Sequence, residues 1–76
     1  MNTFNFNKYI EQVQKYEITN ETQVMTMIDK LQERIDRYKV ASKNAYNRDD
    51  YRYFEKLENE IKAYGNAIDY LLDLDI

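Results

Sequence analysis

Two uninterrupted runs of apolar residues, spaced alternately three and four apart, set what this chain can fold into. In the middle, Val24, Ile28, Leu31, Ile35, Tyr38, Ser42 and Ala45 follow at steps of 4, 3, 4, 3, 4 and 3. Toward the C-terminus, Phe54, Leu57, Ile61, Tyr64, Ile68 and Leu71 follow at steps of 3, 4, 3, 4 and 3. An average of roughly 3.5 residues keeps one stripe of an α-helix turned toward a neighbouring helix. A strand needs alternation at period two, which neither run has. The 76 residues include no proline and a single glycine, Gly65, so little interrupts helical structure. The expected fold class is all-α.

Helix boundaries follow from local chemistry. Asn20 is a candidate N-cap, and Gln23 stands three residues on to complete a capping box. Glu21 suits the positive end of that helix dipole. The second break is Asn47-Arg48-Asp49-Asp50. Asn47 either takes the left-handed conformation that ends a helix or caps the next one, and Asp49 and Asp50 fall where a new N-terminus favours carboxylates. Near the start, Phe6, Tyr9, Ile10, Val13 and Tyr16 make a shorter apolar stripe with Tyr9 and Tyr16 packing inward, while Phe4 and Phe6 alternate with asparagines as a short extended lead. The reading is one helical domain over residues 1–76, with helices at about 5–16, 21–46 and 50–73.

Two long helices joined by a short turn run antiparallel. Met25, Met27, Ala41 and Tyr46 widen the stripe of the second helix, and Tyr53, Ala67, Leu72 and Leu74 that of the third. A wide stripe implies more than one neighbour, and a first helix half as long covers only part of it. The expectation is a short N-terminal helix on a long antiparallel hairpin, pairing into a dimeric helical bundle. The expected self-association residues are Val24, Met27, Ile28, Leu31, Ile35, Ile61, Tyr64, Ile68, Leu71 and Leu72.

Composition excludes whole chemistries. There is no Cys and no His, so thiolate metal sites, thiol nucleophiles and histidine-dependent triads are impossible. Ser42 is the only serine, with no imidazole to activate it. The reading is that of no enzyme, no cofactor and no metal. A mean hydropathy of -0.87 and the lack of a long apolar run argue against a membrane span. The start of the chain has neither the basic nor the apolar stretch of a signal peptide. The expected location is cytoplasmic. A net charge of -3 and a pI near 4.8 argue against general nucleic-acid binding.

Eight tyrosines are many for this length. Tyr38 and Tyr64 lie on the seams and read as core. Tyr46, Tyr51 and Tyr53 gather at the turn beside Arg48 and Arg52; aromatic and arginine side chains together are the composition of interface hot spots. These five are the expected partner-binding residues. Lys30, Arg34, Arg37 and Lys43 form a basic strip, read as a solvated face, with Glu33–Arg37 and Glu58–Lys62 as surface pairs. Ser42 on the seam fixes register at some cost in stability. Gly65 inside a helix costs about 1 kcal/mol against Ala, and close approach by helix 1 or a second copy is the expected compensation.

The segment Phe54-Glu55-Lys56-Leu57-Glu58-Asn59-Glu60-Ile61 after the hairpin turn faintly resembles the small sporulation phosphatases that act on response-regulator aspartyl phosphate. That family reads Ser-x-x-Leu-Asp-x-x-Ile. Only Leu57 and Ile61 match, with Phe54 in the place of the serine and Glu58 of the aspartate, so the activity is not carried over. Three functions remain in view. The first is a regulatory or scaffolding protein that binds a larger partner; a composition rich in Asn, Lys, Tyr and Ile suggests, by association, a phage or mobile-element origin. The second is an anti-defence inhibitor that mimics nucleic acid through Glu58, Glu60, Asp69, Asp73 and Asp75. The third is an aspartyl-phosphate phosphatase-like hairpin or other response-regulator modulator, which needs Glu58 exposed beside a docking groove.

Overall fold

A computed structural model describes residues 4–74; Asp75 of the acidic C-terminus lies outside them, and of the expected extended lead Phe4 and Asn5 are non-helical while Phe6 and Asn7 already belong to the first helix. Three helices follow in order: α1 over Phe6–Lys15, α2 over Glu21–Asn47 and α3 over Tyr51–Leu72. α2 and α3 form a long antiparallel hairpin, and the molecule measures 45 × 20 × 18 Å.

The caps explain the boundaries. The Asn5 side chain accepts from the Lys8 backbone N–H at 3.1 Å and starts α1. Asn20 accepts from the Gln23 N–H at 3.0 Å, while the Gln23 carboxamide oxygen takes the Thr19 N–H at 2.7 Å and the Asn20 N–H at 3.4 Å. That box satisfies donors that α2 leaves orphaned. The turn departs from expectation. Asn47 remains helical, and the left-handed residue is Asp49, with φ 61°. The Asp50 N–H reaches the Ala45 carbonyl at 2.9 Å and the Asp49 N–H reaches Tyr46 at 3.1 Å. This pair of bonds is a Schellman closure with Asp in the place usually held by Gly. Asp50 then caps α3 by accepting from the Tyr53 N–H at 3.3 Å.

The buried stripe of α2 is Val24, Leu31, Ile35, Ser42 and Ala45, with Ile28 and Tyr38 only half-buried. On α3 it is Leu57, Glu60, Tyr64, Ala67 and Leu71. The sequence pattern placed Ile61 and Ile68 there instead; both are half-exposed, while Glu60 and Ala67, one position earlier, are buried. The stripe is rotated because α1 lies along the Glu60–Ala67 flank of α3. Small Ala67, fully buried, lets the packing close there. Val24, Leu31, Ile35, Tyr64 and Leu71, expected at a dimer contact, are enclosed by the chain itself. Leu57 and Leu71 are the large side chains most completely enclosed, so the core is thin. No helix among the described residues is long and apolar enough to cross a membrane.

Candidate protein-binding groove

α1 is held at its N-terminal end. The Phe4 ring stacks on Tyr64, with centroids 4.1 Å apart and planes 22° from parallel, and Tyr64 also meets Tyr38 at 5.6 Å. The Phe4 backbone N–H donates to both Glu60 carboxylate oxygens, at 3.0 and 3.3 Å. Glu60 is only 3% exposed. A buried carboxylate is costly without a donor, so this bond links the docking of the leading segment to the accommodation of Glu60. Burial chiefly pushes the Tyr64 hydroxyl above its ordinary value, with Tyr38 adding to the effect and Arg34 opposing it. The Tyr9 hydroxyl is raised mainly by burial, then by Tyr16.

α1 packs on α3 and makes no close backbone approach to α2. Between α1 and α2 lies an open groove of about 940 Å³. Val13, Leu31 and Tyr64 form its floor, Tyr9, Met27 and Tyr38 its apolar walls, and Lys8, Lys30 and Arg34 line it with positive charge, against the single acid Glu17. Lys30 and Arg34 are exposed, as expected of the solvated strip, and their exposed side chains also line the groove; Arg37 lies 4.0 Å from Glu33. Lys8 had no signal beyond its place on the polar side of α1. Glu60 did have one: it stands three residues after Leu57 and four before Tyr64, a core spacing.

The five residues expected at the turn are brought together around it. Tyr46 and Tyr51 meet edge to face at 5.6 Å, Tyr46 meets Phe54 at 5.3 Å, and the Tyr51 hydroxyl donates to Asp49 at 2.9 Å. That bond is the main cause of the raised Tyr51 value. The rings therefore pack against one another and the turn. Tyr53 is half-buried, and Arg48 and Arg52 stand in solvent.

Three further expectations change. Glu58 does not pair with Lys62: it accepts from the buried Ser42 hydroxyl at 2.6 Å across the hairpin. Tyr16 is 66% exposed instead of packing α1. Among the described residues, no atom beyond its own stretch of helix backbone lies within 4 Å of where a Cβ on Gly65 would stand, so helix 1 does not approach it. No protein-family model matches this chain, and no curated protein and no solved structure matches it either.

Proposed function

We propose that this protein acts by binding a larger protein, as a regulator or scaffold, and that the α1–α2 groove receives an amphipathic helix of that partner. The open apolar groove with its basic lining carries this reading. A helix is roughly 10 Å across, and one laid in a groove offers anchors at i, i+3, i+4 and i+7. Acidic residues beside those anchors would meet Lys8, Lys30 and Arg34, which speeds encounter and selects partners. Two other readings have less support. Glu60 lies under Phe4 and so belongs to no acidic mimic surface. Glu58 is engaged by Ser42 and lines no part of the groove.

The test is capture from native-host lysate with the wild type and with a Met27→Glu, Lys30→Glu, Arg34→Glu variant of unchanged helix content. The reading expects a protein retained by the wild type and lost by the variant. Identical captured sets would contradict it.

A further inference from the structure

The flank of the hairpin turned away from α1 is apolar and only partly covered: Ile28, Ile61 and Ile68 rest against the core with their outer sides open. Along α3, Ile61, Gly65, Ile68 and Leu72 recur at steps of 4, 3 and 4. That spacing puts them on one side of the buried stripe, with Glu60, Ala67 and the docked α1 on the other. On α2, Met25 and Ile28 fall on the corresponding side, away from the groove lined by Met27, Lys30 and Arg34. Met25 is 54% and Leu72 63% exposed. Gly65 sits mid-stripe over open space. Glycine inside a helix destabilises it and permits close backbone approach, and nothing among the described residues uses that permission.

Charge identifies the occupant. The turn half of the hairpin, residues 36–65, carries seven basic and six acidic groups. The other half, residues 21–35 with 66–76, carries two basic and six acidic groups. A twofold axis beside Gly65 lays the positive half of each hairpin on the negative half of another. Lys39 and Lys43, exposed beside the open flank, then come opposite Asp69 of the other copy. We infer that a second copy of this chain covers this flank, with the two α3 helices crossing at Gly65. A partner helix in the α1–α2 groove lies on the opposite side, so either surface can fail its test without the other.

Sedimentation equilibrium over a wide concentration range tests the inference, with circular dichroism to check folding. The wild type should have the mass of two chains at tens of micromolar. Ile68→Lys should reduce this to one chain with helix content retained. Gly65→Leu should weaken pairing by about tenfold or more through loss of close approach. Lys39→Glu with Lys43→Glu should weaken it by about tenfold, and adding Asp69→Lys should recover most of that loss. A one-chain mass at the highest concentration, or a two-chain mass indifferent to the Gly65 and charge variants, overturns the inference.

Discussion

The two flanks of the α2–α3 hairpin use residues one position apart and meet opposite fates. On one, Glu60, Tyr64 and Ala67 are covered: Phe4 stacks on Tyr64, its N–H bonds Glu60, and α1 runs alongside. On the other, Ile61, Gly65, Ile68 and Leu72 form a stripe that α1 does not reach, although it is more apolar. Hydrophobicity therefore does not choose the side on which a short helix docks. The covered flank offers a small residue for close packing and a carboxylate that takes up a backbone donor. The open flank offers area alone, and that area remains available to another molecule.

The sharpest contrast comes from neighbouring leucines. Leu71 is 1% exposed and Leu72 63%. Leu71→Ala should lower stability by about 2–5 kcal/mol, whereas Leu72→Ala in dilute protein should stay within about 0.5 kcal/mol of wild type. Urea unfolding monitored by circular dichroism measures both. Similar losses for the two would break the assignment of inside and outside on α3.

Removing the clasp should be the next largest effect. Glu60→Ala takes away a charged acceptor and leaves the Phe4 N–H without its partner, a loss of about 1.5–3 kcal/mol. The loss should fall first on α1. Amide hydrogen exchange should show α1 opening while α2 and α3 remain protected. Uniform loosening of all three helices would mean that Glu60 serves the hairpin and not the docking of α1.

Asp49→Gly should act in the opposite direction. Asp49 holds a left-handed conformation that disfavours a Cβ, so glycine there should stabilise by about 1 kcal/mol, despite losing the exposed bond from Tyr51. A higher unfolding midpoint with an unchanged slope is the expected result. Because the turn lies outside both flanks, their comparison should be unaffected.

The smallest effect is alkaline. Tyr9 and Tyr64 have hydroxyls raised above the ordinary value of 10.0. The unfolded chain therefore loses these protons first, so stability is intact below that value and falls as pH rises through the folded-state values. Tyr64→Phe should flatten this decline in a pH series of unfolding midpoints. An unchanged slope would indicate that the Phe4–Tyr64 stack exposes the hydroxyl to water.

How much of this could be read from the letters depends on what decided each feature. The helices and the hairpin follow from spacing, which backbone geometry converts directly into stripes. Asn20 with Gln23 gave the start of α2 because a capping box is local. At the turn, Asn47 and Asp49 both tolerate positive φ, and only the closure from Asp50 to Ala45 selects between them. The rotation of α3 was hidden for a different reason. Leu57, Tyr64 and Leu71 belong equally to a stripe through Ile61 and Ile68 and to one through Glu60 and Ala67. Hydropathy favours the isoleucines, whereas a bond from the Phe4 backbone, 56 residues away, favours Glu60. The groove was invisible for a related reason, since it is a gap between α1 and α2 and periodicity describes only contacts. The likeness to the phosphatase segment rested on Leu57 and Ile61, one now enclosed in the hairpin core and the other on its open flank.

The absence of native cysteine allows the central contrast to be measured residue by residue. Single Ala67→Cys and Ile68→Cys proteins, labelled with a thiol reagent across a dilution series, report on the two flanks separately. Residue 67 should react slowly at every concentration, and residue 68 should react fast when dilute and become protected as the protein is concentrated. Equal rates at 67 and 68 in dilute protein, or a rate at 68 that ignores concentration, would contradict the account.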